Sequence, residues 1–345
     1  MIIEIGPRPL VAAAFPSESL FFSTESAGAS FDNVEMLRSL PALWRALGRS
    51  DLELIVCHPS FSAPWSTRHL HRSILSRRFL AGRSPLFRAI GPELLRAKRP
   101  APLVVIDTED LPVINRNNLF LLDRALLYFK RELPADHWRV FLKTAHANLP
   151  TPRWRLGRAH RRWEAKLRPI SLGLPADSLG LFPEVTMDKT VDIFFSGRVE
   201  GSSSLRAGGL EEVRALAARG AVVDIPAAHL PREAFYRRCA AAWLVWSPEG
   251  YGWDCFRHYE AAACGSVALI NQPSIERHAP LLAGEHAVYY DPEPGGLTHA
   301  VMTALADRER LRAMSDAARA HVLAHHTPDA LARYVVEEAR KAAAS

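Results

Sequence analysis

Short apolar runs alternate with longer stretches in which Leu, Ile, Val and Ala recur every three or four positions. Residues 2–5, 52–57 and 103–106 are mostly apolar at successive positions, which suits strands buried on both faces of a parallel sheet, whereas residues 33–47 and 119–131 have helical spacing. Residues 139–142 predict one more strand. The stretch 150–183 is rich in Pro, Gly and Arg with little periodicity of either kind, and it predicts a linker.

The second half repeats the alternation more cleanly. Strands are expected at 191–195, 221–225, 243–247 and 267–270, with helices at 210–219, 232–242 and 255–264 between them and further helices over 298–326. Gly220 stands where a left-handed helix cap is needed and Asp254 where an N-cap is. Thr327-Pro328-Asp329 opens a last helix through Lys341. Strand–helix alternation in both halves predicts an α/β protein of two doubly wound domains. The expected division is 1–165, 166–326 and a terminal helix 327–345.

Composition narrows the class without changing the fold. Hydrophobic residues make up 48% and charged residues 23% of 345, a balance that argues against disorder, collagen and coiled coil. No apolar run reaches the roughly 18 residues of a membrane-spanning helix, and the first residues lack the basic head and apolar core of a secretory signal, so a cytoplasmic location is expected. Cys57, Cys239, Cys255 and Cys264 form no C-x-x-C pair, and the 14 histidines contain no H-E-x-x-H, so neither a disulfide nor a metal ligand is expected. Charge divides unevenly: residues 1–170 are net +11 and residues 171–345 net −5. Within 68–99 nine basic residues face the single acid Glu93, and within 153–168 seven face Glu164. Such runs suit nucleic acid, an anionic lipid surface or a phosphorylated substrate, and are also ordinary solvated surface.

In open parallel sheets ligands bind beyond the carboxyl ends of the strands, so residues directly after strands carry the chemistry. Two loops of the second half stand out. Residues 196–209 are rich in Ser and Gly; Gly197 permits close backbone approach to a phosphate, while Arg198 and Arg206 supply guanidinium charge. Residues 247–265 place Gly250 and Gly252 just before a helix whose first turn holds Arg257, with Glu260 three residues on and nearly on the same face. A guanidinium there can hold a diphosphate while the carboxylate accepts the two hydroxyls of a ribose; a plain surface ion pair is the alternative.

The stretch from Arg257 to Ile270, R-x-x-E-A-A-A-C-G-S-V-A-L-I, resembles the donor-site signature of CgeB-like spore-maturation transferases and, more loosely, of exostosin-like ones, within the nucleotide-sugar glycosyltransferases of the GT-B fold. Residues 104–110, 128–133 and 169–174 resemble segments of the same group. The resemblance implies two Rossmann-like domains with an interdomain cleft, and transfer of a sugar from a nucleoside-diphosphate donor, UDP- or GDP-linked, without a metal or other cofactor. By resemblance, Glu260 binds the donor ribose, Arg257 and the 196–206 loop the diphosphate, and residues 249–253 the transferred sugar, which makes Glu249 a catalytic candidate. Retaining members place two glutamates with seven residues between them, whereas ten residues separate Glu249 and Glu260. An inverting reaction needs a general base, and Asp107, Glu109 and Asp110, which follow an apolar run, are the candidates. His58 and His146 also follow apparent strands. Of Trp243, Trp246, Tyr251 and Trp253, Trp253 is expected to present a sugar-stacking face.

The rivals are a nucleotide-sugar epimerase of the same fold and a non-catalytic protein binding nucleic acid or an anionic surface. The basic first half allows an anionic acceptor, whether glycan, phospholipid-linked or RNA, and peripheral contact with the inner membrane face; Arg77 and Arg78 are its marked residues.

Overall fold

The computed structural model describes residues 1–345 apart from 26–30, 60–89, 99, 143, 147–148, 151–157 and 184–187. Arg77, Arg78 and most of the basic stretch 68–99 lie outside the described residues. Two units are formed: Met1–Ile170 together with Leu331–Ser345, and Ser171–Ala330.

The first unit contains β1 (Ile2–Gly6), β2 (Ser19–Ser23), β3 (Glu35–Met36), β4 (Leu54–Cys57), β5 (Leu103–Asp107), β6 (Leu127–Lys130), a small antiparallel pair β7 (Thr144–His146) and β8 (Leu149–Pro150), and β9 (Leu167–Pro169). Seven of these form one parallel sheet in the order β3-β2-β1-β4-β5-β6-β9. Every residue of β1, β4 and β5 is buried, as a sheet covered on both faces requires. The second unit contains β10 (Val191–Phe194), β11 (Val223–Asp224), β12 (Ala242–Trp246), β13 (Val267–Asn271) and β14 (Ala287–Tyr290), parallel and ordered β11-β10-β12-β13-β14. In this sheet the chain reverses its winding between β10 and β12, and in the first sheet between β1 and β4. Those switch points are where an open α/β sheet leaves a crevice beyond its strand ends.

Local chemistry explains the boundaries. The helix Ser204–Ala215 tightens into a 3-10 turn and stops at Gly220, whose φ of +88° lies in the left-handed region that favours glycine. Thr327 caps the last helix, its Oγ1 accepting the Ala330 N–H at 3.2 Å. Leu331, Val335 and Ala339, with Ala332 and Val336 beside them, then lie in the core of the first unit against Ile2, Val56, Val104 and Phe129. Full burial of a Leu or Val contributes about 1.5–3 kcal/mol each, which anchors this helix to that unit.

Five expectations differ, the first being the linker over 150–183, which contains the helix Arg158–Glu164 and β9, paired with β6. Residues 119–131 are not one helix: Leu119–Arg124 is helical, Ala125 turns extended, and Leu127–Lys130 pairs with β5 as β6. Residues 139–142 fall largely in a 3-10 turn, His137–Phe141, whose Val140 carbonyl accepts the Ile114 N–H at 2.8 Å. Residues 33–47 divide into β3 and a helix Leu40–Ala46 capped by Ser39. The N-cap of helix Phe256–Ala263 is Cys255, not Asp254. The Asp254 carboxylate accepts the Leu172 N–H at 2.7 Å and the Tyr259 hydroxyl at 2.5 Å.

Candidate functional site

The second unit's switch point is built by the loops after β10 and β12 and by the start of helix Phe256–Ala263. Arg257 sits in the first turn of that helix, where the backbone N–H groups favour negative charge. Its Nη2 donates to the Ser196 carbonyl at 2.9 Å, and the guanidinium lies 5.2 Å from the centre of the Phe195 ring. Nε and Nη1 are buried and have no hydrogen-bond partner among the described residues. Burial, and then the nearby Arg206, lower the pKa of Arg257. Buried donors left unpaired cost several kcal/mol, and a guanidinium at the start of a helix has the chemistry to meet an anion. Gly197 makes room for it: a Cβ there would overlap Arg257 Nη2.

Glu260, one turn along, accepts the Tyr236 hydroxyl at 2.8 Å through Oε1. Burial raises its pKa, opposed by that hydrogen bond and by Arg257. A carboxylate with one oxygen engaged by a tyrosine keeps acceptor capacity for hydroxyls.

Arg206 takes a different part from the one expected. Its side chain is buried, with Nε donating to the Glu249 carbonyl at 2.9 Å, Nη1 to the Arg198 carbonyl at 2.9 Å and Nη2 to the Pro248 carbonyl at 3.3 Å. Backbone carbonyls thus take the donors that would have met phosphate, and Arg206 fastens the loop after β10 to the loop after β12. Gly250 packs against this guanidinium; its Cβ would come within 3.0 Å of Nη2. The Arg198 side chain is exposed on the rim.

Glu249 is half-buried and held from both sides. Its N–H donates to Asn271 Oδ1 at 2.9 Å, its carbonyl accepts Ser203 Oγ at 3.1 Å, and its Oε2 accepts Asn271 Nδ2 at 3.1 Å. The Gly250 N–H donates to the Gly252 carbonyl at 2.9 Å, which closes the turn and leaves Tyr251 70% exposed.

Trp253 does not present the expected sugar face. It is 4% exposed, its Nε1 donates to the Asn271 carbonyl at 3.1 Å, and its ring packs on His258 in a cluster with Tyr259, Ile270 and Leu281. An indole whose ring and N–H are both engaged in a core has no face left for a ligand. Trp246 is also fully buried, donating to the Tyr290 hydroxyl at 3.0 Å.

The acids of the first unit lie on another sheet. Asp107, at the end of β5, is 2% exposed and accepts Tyr128 Oη at 2.7 Å, Lys130 Nζ at 3.2 Å and the Glu109 N–H at 3.1 Å. Asp110 pairs with Arg131 at the surface. Glu109 is half-buried, and burial, then Asp107, raise its carboxyl pKa. At this unit's switch point His58 Nε2 meets Glu4 Oε1 at 2.7 Å, and the Glu4 carboxylate also accepts the Leu10 and Ala12 N–H groups. The side chain of His146 lies outside the described residues.

Sequence reasoning named Arg257, Glu260, Glu249, Gly197 and Gly250, which the fold places on the loops after β10 and β12 and on the helix that follows β12. It missed Asn271, Tyr236 and Ser203, whose contribution is a hydrogen bond to a partner distant in sequence. The only signal was that each stands in or beside an element bordering the crevice.

Residues 228–337 match a family model described as "Glycosyl transferase-like". No curated protein matches the chain. Among solved structures, an α,α-trehalose-phosphate synthase (UDP-forming) from Burkholderia vietnamiensis is similar at 11% identity over 99% of each chain, with a TM-score of 0.57. The sucrose-phosphate synthase of Thermosynechococcus elongatus is similar at 12% over 100% of each chain, with a TM-score of 0.53. Anabaena HepE in complex with UDP-glucose is similar at 12% over 99% of this chain and 100% of that one, with a TM-score of 0.52. The chain has the GT-B fold. In that fold the second unit, with β10 to β14, carries most of the family match. No helix among the described residues is long and apolar enough to cross a membrane.

Proposed function

We propose that the protein is a glycosyltransferase that binds a nucleoside-diphosphate sugar in its second unit and transfers the sugar to an acceptor hydroxyl. The single observation that carries this reading is the Arg257 guanidinium, buried with Nε and Nη1 unpaired, one helical turn from the Glu260 carboxylate. A diphosphate satisfies the first and a ribose the second. The family match over 228–337 supports it, and so does the UDP-glucose held by the Anabaena protein of the same fold.

Chemically, transfer develops negative charge on the leaving diphosphate. Arg257, the exposed Arg198 on the rim and the N–H groups at the start of helix Phe256–Ala263 are fixed positive groups able to stabilise it, which is the task a divalent cation performs elsewhere. Glu249 accepts sugar hydroxyls through its remaining carboxylate oxygen. Glu109, with a raised carboxyl pKa, suits a proton acceptor for an inverting reaction. UDP or GDP is the expected donor nucleotide, and the likeness to CgeB-like transferases belongs to this reading.

The experiment is a thermal-shift panel of UDP, GDP, ADP, CMP and dTDP, because a ligand bound only by the folded state raises the melting temperature with its saturation. One nucleotide is expected to stand out in EDTA-treated protein, and Glu260→Ala is expected to abolish its shift. A flat panel would end the donor-site assignment.

A further inference from the structure

Asn271, the last residue of β13, is 3% exposed, and it grips the 249–253 turn at three points. Its Oδ1 accepts the Glu249 N–H at 2.9 Å, its Nδ2 donates to Glu249 Oε2 at 3.1 Å, and its backbone carbonyl accepts Trp253 Nε1 at 3.1 Å. The orientation of the amide is fixed by chemistry: a peptide N–H only donates and an ionised carboxylate only accepts, so oxygen must face one and nitrogen the other. No other side chain of that size offers both. An Asp would set two carboxylates face to face, and a Leu would leave the Glu249 N–H and Oε2 without partners.

Glu249 is held on its other side by Ser203 Oγ at 3.1 Å and Arg206 Nε at 2.9 Å, both on its carbonyl, so its backbone does not depend on Asn271 alone. What depends on Asn271 is where the carboxylate points. We infer that Asn271 is a positioning residue for sugar recognition: by holding one oxygen of Glu249 it presents the other to the hydroxyls of the transferred sugar. The nucleoside diphosphate is read separately by Arg257 and Glu260. This rests on the donor-site reading above and deepens it, dividing the donor between two sets of side chains.

The test uses the full-length protein and measures affinities by calorimetry for UDP against UDP-glucose and for GDP against GDP-mannose. Asn271→Asp keeps shape and the acceptor for the Glu249 N–H but repels the carboxylate. It is expected to leave nucleoside-diphosphate affinity within about twofold while lowering affinity for the sugar ester by roughly tenfold, the worth of one hydrogen bond to a charged group. Asn271→Ser, which retains only a short hydroxyl, is the second variant with the same expected split. In a Glu249→Ala background Asn271→Asp is expected to cause no further loss of sugar-ester affinity, because a residue acting through Glu249 has nothing left to act on. Equal loss of nucleotide and sugar ester, no loss of either, or losses that add in the double variant would each overturn the role given to Asn271. Wild-type protein that binds none of the four compounds and shows no thermal shift with ADP, CMP or dTDP either would instead remove the donor site itself.

Discussion

Asp107 and Arg257 are both charged groups sunk beside a buried parallel strand, one at the end of β5 and the other on the helix after β12, but their hydrogen-bonding capacity is spent differently. Asp107 receives a hydroxyl, an ammonium and a peptide N–H, and the Lys130 it pairs with is itself fully buried. Arg257 gives one hydrogen bond to a carbonyl, and its buried Nε and Nη1 have no partner among the described residues. A buried charge whose two oxygens are both engaged by neighbours in the same unit is accounted for by the fold. A buried charge kept partly unpaired costs stability and retains donors with which a ligand can be met. Arg206 shows that residue type alone does not decide: it has the chemistry of Arg257, but backbone carbonyls take its donors.

The largest test of this contrast is Asp107→Ala. It strands the Lys130 ammonium and the Tyr128 hydroxyl without their acceptor, and breaking a buried pair in this way costs about 3–5 kcal/mol. Urea unfolding is expected to show that loss, with nucleotide affinity of the folded protein unchanged. A change below about 1 kcal/mol would return Asp107 to the list of chemical rather than structural groups.

Arg257→Ala is expected to act the other way round. Two charge-assisted hydrogen bonds to a diphosphate are worth about 3 kcal/mol, so nucleotide affinity falls roughly a hundredfold while the unfolding midpoint moves little. Calorimetry and urea unfolding on the same preparation separate the two effects. A variant that binds as wild type shows that the unpaired N–H groups serve no anion.

How much of this was legible in the residues follows the same division. Strands buried on both faces were visible as apolar runs, which is why β1, β4, β5, β12 and β13 were found, and Gly220 and Thr327 announced helix ends through backbone conformation and side-chain capping. The segment 119–131 was misread because no Gly or Pro marks its break; pairing with β5, a tertiary event, makes Leu127–Lys130 a strand. The short β2, Ser19–Ser23, was missed between a one-turn helix and a two-residue strand. At the site, charge and glycine spacing pointed to Arg257 and Glu260. Carbonyl acceptors, however, are the same at every residue, so nothing in the sequence told Arg206 from Arg257, or a buried Trp253 from an exposed Tyr251.

A smaller effect sharpens the contrast from the carboxylate side. Burial raises the Glu260 pKa above the ordinary 4.5, so in the free protein this carboxyl takes up its proton at a higher pH than an exposed glutamate. The ionised form is the one that accepts two ribose hydroxyls. Nucleotide affinity is therefore expected to fall on acidification before pH 4.5 is reached, by up to about tenfold per pH unit below the shifted value. Glu260→Gln should flatten that limb in a calorimetric pH series; an unchanged limb would assign it to another group.

Asp110 supplies the smallest expected change. Its pair with Arg131 is half-exposed on the Asp side, and water screens such a pair, so Asp110→Ala should cost no more than about 1 kcal/mol in urea unfolding. Asp110 was a catalytic candidate because it follows β5, but its carboxylate is already paired with the Arg131 guanidinium and would have to give up that pair to accept a proton. The turnover number with a nucleotide-sugar donor should accordingly stay within about threefold of wild type, whereas loss of a true general base costs about a hundredfold or more. A loss of that size in Asp110→Ala, with folding intact, would show that an ion-paired acid on this loop does chemistry, and would break the rule that separates the loop after β5 from the loop after β12.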